Sequence, residues 1–413
     1  MRDIAVFLAV VVGLVFTLKR PHMGVMLWSW LGYMNPHRLC YGFMFDAHVA
    51  LVTAMATMGS LLMSDEKKNK LQWSPEATLL LIFTVWMFIT TLFAEYPWVA
   101  WVKWDKVWKI QLFMLLTLML INSKDRLNML IWVIVLSLGF YGVKGGIFTI
   151  MTGGSHRVLG PMGSFIEFRG DIGTALNMTI PLMRYLQLQA TNKMVRIGLT
   201  VAIILTCFAV IGTHSRGAFL GLAAVMLFLI MKSRRKVLLL FVLALTTYSV
   251  LSFMPAEWSE RMHTIETYEE DGSAMGRIEA WIDTIEYANR HPIMGGGFER
   301  NPGGRAAHNI FIQVLGDHGY VGLVLFIGLG LMVWVSAGRI RKQVKNDPEN
   351  KWMGDLMAMT QVCLVAYGSG GFFLSLAYFD LTYHLVTFVI ICKCILLKTQ
   401  QKNIETKNTT ITI

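Results

Sequence analysis

Apolar residues run through this chain in blocks long enough to cross a bilayer, and polar residues are confined to the gaps between them. The blocks lie at 3–18, 22–35, 45–63, 77–94, 106–122, 127–150, 171–188, 197–212, 217–231, 237–254, 319–337, 353–376 and 381–397. A helix needs about 20 such residues to span the hydrocarbon. In lipid, backbone groups are satisfied only inside helices or closed barrels. The pattern predicts an all-α polytopic membrane protein with about 12–13 transmembrane helices. The second block is short and need not cross fully. The first, Ile4 to Phe16, resembles a signal-peptide core, but no small-residue cleavage site follows. Lys19-Arg20-Pro21-His22 leads straight into more apolar sequence, so the segment is read as part of the bundle.

One polar gap is large. The division is a transmembrane bundle at 1–254, a loop at 255–318, transmembrane helices at 319–397 and a polar, disordered tail at 398–413. Within the loop, Pro255-Ala256-Glu257 opens a short helix carrying Trp258, Met262 and Ile265 on one stripe. A second amphipathic helix is expected from about Met275 to Asn289, with Ile278, Trp281, Ile282 and Ile285 on its apolar face, and His291-Pro292 ends it. Met294-Gly295-Gly296-Gly297 and Pro302-Gly303-Gly304 read as flexible turns. Ala306 to Leu315 reads as helical again, which puts His308 on a short interfacial helix, and Gly316-Asp317-His318-Gly319 breaks the segment.

Charge orients this scaffold. The chain is 55% hydrophobic and 15% charged, with a mean hydropathy of +0.53 and a net charge of +11. No soluble basic domain exists to hold nucleic acid, so the excess cations are read against a lipid bilayer. They cluster in alternate connections: Lys19/Arg20, Lys67/Lys68/Lys70, Lys124/Arg126, Lys193/Arg196, Lys232 to Lys236, Arg339 to Lys351, and the tail. That set is assigned to the cytosol. The other set, 36–44, 95–105, 151–170, 213–216 and the long loop, then faces the opposite side. Strict alternation puts the N-terminus outside and the C-terminus inside; a non-crossing hairpin of the first two blocks would move only the N-terminus. The five cysteines lie mostly in apolar context without metal-site spacing and read as small core residues.

The candidate chemistry gathers at the non-cytosolic side. His308-Asn309 lies where the long loop meets apolar sequence, and Arg277, Arg300 and Arg305 precede it. Thr213-His214-Ser215-Arg216-Gly217 sits at another apolar boundary, and Arg157 and Arg169 lie on the same side, with Glu167 and Asp171 beside them. Arg holds a diphosphate through planar paired hydrogen bonds, and His moves a proton near neutral pH. Each has a plainer reading. Arg216 snorkels to head groups, Arg277 pairs with a loop carboxylate, Arg300 and Arg305 are solvated, and His308 caps a helix. Asn309 is placed to orient His308 or bind sugar. Lys144, between glycines near the outer end of a block, is costly in lipid unless it faces a polar cavity. Gly368-Ser369-Gly370-Gly371 lacks the Lys-Ser/Thr of a phosphate loop and reads as helix packing. Trp98, Trp101, Trp104 and Trp108 form an interfacial belt. The sequence shows no nucleotide-binding motif, no metal site and no sign of a cofactor. That fits a preactivated donor better than a nucleotide sugar. A transporter would spread its charges along a path through the membrane, and here they lie at one face.

Thr-His-Ser-Arg-Gly at 213–217, Gly276-Arg277 with Trp281, Pro292, Gly295 and Gly297, His308-Asn309, and Gly319/Gly322 together resemble the O-antigen ligase and polymerase superfamily. Met34-Asn35-Pro36-His37-Arg38, Lys144-Gly145-Gly146 and Val158 to Phe165 look like the O-glycosylation ligases of the exosortase A-associated group. The resemblance implies a glycosyltransferase in the bacterial inner membrane, active at the periplasmic face without nucleotide or metal. It would move a glycan from undecaprenyl diphosphate to a hydroxyl of lipid A core, a protein or another glycan. The last of these would be a polymerase. By motif match His308 is the base, and Arg216 and Arg277 hold the diphosphate. Lys144, Arg157, Arg169, Arg305 and Asn309 are further substrate-binding candidates. After Ser164-Phe165 the group carries an acidic, asparagine-rich stretch, where this chain reads Ile166-Glu167-Phe168-Arg169-Gly170-Asp171.

Overall fold

A computed structural model of the chain describes residues 1–65, 73–232, 272–304 and 306–411, with backbone alone at 272–274 and 402–411. The apolar block 237–254, the helix opening at Pro255 and Arg305 lie outside the described residues. The described part is all helical, with no strand. The helices are α1 (Arg2–Lys19), α2 (Pro21–Met34), α3 (Val49–Met63), α4 (Pro75–Leu92), α5 (Pro97–Leu120), α6 (Lys124–Met151), α7 (Arg169–Gln189), α8 (Lys193–Gly212), α9 (Arg216–Lys232), α10 (Gly272–Arg290), α11 (Ile310–Gln343), α12 (Lys351–Gly371) and α13 (Asp380–Ile411). Pro36–Leu39 adds one 3-10 turn.

Local chemistry sets the boundaries. Pro21, Pro75 and Pro97 stand in the first turns of α2, α4 and α5, where a missing N–H costs nothing. Side chains of Ser74, Ser123, Asn192 and Asn309 cap α4, α6, α8 and α11 by accepting from backbone N–H groups of the first turn. Among the described residues, five helices are long and apolar enough to cross a membrane: α4, α6, α8, α11 and the Asp380–Gln401 part of α13. α13 continues to Ile411, so the expected disordered tail is largely helical. α5 begins at Pro97, so Trp98, Trp101, Trp104 and Trp108 ride on a helix; Trp98, Trp101 and Trp108 are exposed.

Small residues bring the helices together, as expected where lipid offers no hydrophobic drive between them. A Cβ on Gly146 would lie 2.0 Å from the Leu205 carbonyl oxygen, so α6 and α8 touch backbone to side. α7 is buried along nearly its whole length between α6, α8, α9 and α12. Gly173 of α7 lies against Ala218 of α9, Gly370 of α12 lies against Thr174, and Asn177 Nδ2 donates to the Ala218 carbonyl at 2.8 Å. Gly370 and Gly371 therefore pack against α7 and the start of α11.

The glycine run 295–297 is not a flexible turn. Gly295 and Gly297 have positive φ, and their neighbours dock into a kink of α11 where Gly319 adopts φ 67°, ψ −172°. Gly296 N donates to Gly316 O, Gly297 N to Asp317 O, Tyr320 N to Pro292 O, and Glu95 N to Gly296 O, at 2.8–2.9 Å. Cβ atoms on Gly295 and Gly319 would sit 2.3–2.6 Å from opposing backbone atoms. Only glycine permits this approach. The docking fixes the chain that leads from α10 into α11.

Candidate functional site

A cavity of about 840 Å³ opens at one end of the bundle. Three segments far apart in sequence meet there: 157–171, 214–217, and Arg277 with Ala306 and His308. Phe373 to Ser375, just beyond α12, complete the wall. The cavity thus gathers Arg157, Arg169, Arg216, Arg277 and His308, five of the residues singled out by sequence, with Asp171 and His214 beside them.

Each side chain is delivered by an identifiable device. α6 ends in a left-handed turn at Gly153 and Gly154. The following segment is stapled to the α8–α9 corner by Val158 N donating to Gly212 O at 2.9 Å, which brings Arg157 to the rim. The loop 160–167 closes on itself. Gly163 N donates to Glu167 Oε2 at 2.8 Å and Gly160 N to Glu167 O at 3.1 Å, so Glu167 is a loop closer. α7 then starts at Arg169, and α9 starts at Arg216. Gly217 approaches Phe373 across the cavity floor, where a Cβ would lie 2.8 Å away. Arg277 occupies the second turn of α10, one turn before Trp281, whose Nε1 donates to the Ala307 carbonyl and whose ring meets Phe372 edge-on at 5.7 Å. The i, i+4 spacing puts Arg277 on the Trp281 side of the helix.

His308 precedes α11 and does not sit on a helix. Its φ of 46° is left-handed, a conformation that costs a non-glycine residue about 1 kcal/mol or more. The cap of α11 comes from Asn309, whose Oδ1 accepts from Phe311 N at 2.9 Å and Ile312 N at 3.2 Å. Asn309 is buried, and its side-chain oxygen is taken up by this cap. The His308 N–H donates to Ser375 Oγ at 3.0 Å. Partial burial and the positive charge of Arg277 hold the His308 imidazole below its ordinary value of 6.5.

His214 and His318 have structural partners. His214, also left-handed at φ 52°, donates from Nε2 to the Gly154 carbonyl at 2.8 Å. A carbonyl has no proton to give, so the tautomer is fixed at that nitrogen. His318 is wholly buried against Phe298 and Tyr378, with Nδ1 2.7 Å from Thr90 Oγ1. Arg300 pairs with Asp283 at 2.9 Å and stacks over Tyr287, which ties the turn to α10.

Lys144 lies outside the cavity. It is exposed on α6 over the Phe140 ring, while Gly142, Gly145 and Gly146 pack the other side of the helix toward α8 and Val158. The glycines serve that contact, not a cavity wall.

Two contributions escaped the sequence reading. Phe372 to Leu376 continues an apolar run without a break signal, so nothing marked it as a loop that supplies Ser375. Second, α7 and α9 begin at the cavity and α11 begins two residues after His308, so three helix N-termini are directed at it. The partial positive charge of these helix ends adds to that of the four arginines and suits the cavity to an anion.

Two family models match the chain. Residues 201–327 match the O-Antigen ligase family, and residues 1–191 match a family of unknown function, DUF5935. No curated protein matches it. Arg216, Arg277 and His308 fall in the first match, Arg157, Arg169 and Asp171 in the second, and both contribute to one cavity. The O-antigen ligase match supports placement in that superfamily and an O-antigen ligase-like, glycan-transferring function in a membrane.

Proposed function

We propose, from the O-antigen ligase domain at 201–327, that the chain transfers a glycan from undecaprenyl diphosphate to an acceptor hydroxyl at the cavity. The observation that carries this reading is the convergence of four arginines, three helix N-termini and two histidines, His308 and His214, on a single cavity. Cavities of this size hold drug-sized ligands and suit a diphosphate with its first sugar.

In the proposed reaction His308 accepts the proton of the acceptor hydroxyl. The oxygen attacks the anomeric carbon opposite the diphosphate, a new glycosidic bond forms, and the carbon–oxygen bond to the diphosphate breaks with inversion. Arg216 and Arg277 take up the charge that gathers on the leaving diphosphate, an effect worth roughly 3–4 kcal/mol per donor. The depressed basicity of His308 keeps it neutral and able to accept a proton at pH 7. Arg157 and Arg169 line the part supplied by the N-terminal half and are assigned to the remaining phosphate and glycan contacts. Exposed Leu159 and Phe168 at the rim suit a prenyl tail lying in the bilayer. The alternation of basic connections supports an inner-membrane protein with this cavity facing the periplasm. Met34 to Arg38 and Val158 to Phe165 support the exosortase A-associated O-glycosylation ligases as the nearest group. A polymerase uses the same chemistry with a lipid-linked glycan as acceptor.

The direct test supplies purified protein in nanodiscs with an α-linked glycan on undecaprenyl diphosphate and either lipid A core, a protein or a second lipid-linked glycan. Free undecaprenyl diphosphate and a β-linked product with one acceptor are expected. A product with retained configuration contradicts the single-displacement scheme.

A further inference from the structure

The four helices that build the arginine cavity build a second one at their other ends. α7, α9 and α11 start at or beside the first cavity and α12 ends there. The second cavity, about 610 Å³, is lined by Leu188 near the end of α7, Lys232 at the end of α9, Arg341 to Lys345 around the end of α11, and Lys351 to Met359 of α12. α9 has 17 residues and rises about 25 Å from Arg216 to Lys232, close to the thickness of the hydrocarbon layer. The two cavities therefore lie at opposite membrane surfaces.

The second cavity is strongly cationic. Lys232, Arg341, Lys342, Lys345 and Lys351 line it against a single carboxylate, Asp355. Among the described residues none of these five cations forms an ion pair. Lys232 Nζ and Arg341 Nη1 instead converge on one neutral oxygen, Gln361 Oε1, at 3.1 and 2.9 Å. Gln361 is buried, and its amide nitrogen donates to the Trp334 carbonyl at 3.1 Å, which fixes its oxygen toward the two cations. Asp355 Oδ2 accepts from Gln189 Nε2 at 3.1 Å. Cations held this close by a neutral group repel one another unless an anion joins them. Lys342, Lys345 and Lys351 are exposed around the opening.

We propose that this cavity is a binding site for the head group of an anionic glycerophospholipid, with a two-phosphate lipid such as cardiolipin fitting best. Five cations in a space of this volume exceed what one phosphate neutralises. The position at the end of a bilayer-length helix puts the phosphates at head-group depth, and Leu188 and Met359 give the glycerol and upper acyl carbons an apolar wall. Basic pockets between transmembrane helices are suited to such head groups. The inference does not depend on the transfer reaction.

The test uses the full chain in phosphatidylcholine nanodiscs doped with cardiolipin, with co-purifying lipid counted by mass spectrometry after detergent extraction. Wild-type protein is expected to retain cardiolipin over phosphatidylcholine. Lys342→Gln/Lys345→Gln/Lys351→Gln is expected to lower retention by about tenfold or more, and the corresponding triple Lys→Arg variant to restore it. Arg216→Ala/Arg277→Ala should retain cardiolipin as wild type does, because those residues belong to the other cavity. Undiminished retention by the triple Gln variant, or loss confined to the Arg216/Arg277 variant, overturns the site. Inorganic diphosphate that displaces cardiolipin at equal concentration would identify a soluble anion as the ligand and overturn the lipid assignment.

Discussion

The backbone N–H of His308 donates to Ser375 Oγ at 3.0 Å, across 67 residues of sequence. This bond links the segment before α11 to the loop after α12 and holds His308 in its left-handed conformation. The imidazole direction thus depends on a side chain from the opposite wall of the cavity. Ser375→Ala removes one net hydrogen bond, worth about 1 kcal/mol, and frees the His308 backbone. The expected result is a fall in kcat of about fivefold to tenfold with KM for the lipid donor little changed. Ser375→Thr, which keeps the hydroxyl, should recover most of the rate.

The basicity of His308 gives a pH signature. Burial and Arg277 lower its pKa, so the neutral, proton-accepting form persists to lower pH than in free imidazole. Activity limited by this base should rise with pH through a midpoint below 6.5 and be flat at pH 7–8. Removing the Arg277 charge takes away one of the two lowering causes. The residual activity of Arg277→Gln should therefore rise through a midpoint shifted upward, toward 6.5. Full pH–rate profiles of both proteins check this, and an unchanged midpoint would separate Arg277 from His308.

Lys144 and Gly146 are neighbours in sequence with opposite expected sensitivities. Lys144 is exposed and outside the cavity, so Lys144→Ala should leave transfer within about twofold of wild type. Gly146→Ala places a methyl 2.0 Å from the Leu205 carbonyl and forces α6 from α8. A loss of about 1–3 kcal/mol of stability is expected, visible as a lower melting temperature in detergent.

These contrasts show what the sequence could reveal. Helix spans were legible because apolar blocks and polar gaps alternate, and the amphipathic helix expected at Met275–Asn289 appears as Gly272–Arg290. Arg157, Arg169, Arg216, Arg277 and His308 were legible as cations and a histidine on one side of the bundle, and the fold brings them together. That Lys144 lies outside the cavity was not legible, because adjacent glycines do not say which side of a helix they open. That Asn309 caps α11 was not singled out, because capping and substrate contact draw on the same residue type. Ser375 was invisible inside an apolar run, and the locking of Gly295–Gly297 into the α11 kink depends on backbone contacts that sequence spacing does not encode.

The proposed orientation can be tested at the two cavities. Single cysteines at Met162 and Asn346, both exposed, near opposite ends of the bundle, should differ in access to a membrane-impermeant maleimide on intact cells. Met162→Cys is expected to label and Asn346→Cys to stay protected until the cells are permeabilised. The reverse pattern would place the arginine cavity in the cytosol.

The central claim is that His308 takes the acceptor proton while the arginines hold the donor. The measurement that tests it most directly is single-turnover transfer by purified His308→Ala, with donor binding measured on the same preparation. The account predicts a rate lower by about 100- to 10,000-fold with affinity for undecaprenyl-diphosphate-linked glycan within a few-fold of wild type. Transfer at the wild-type rate by this variant would contradict it.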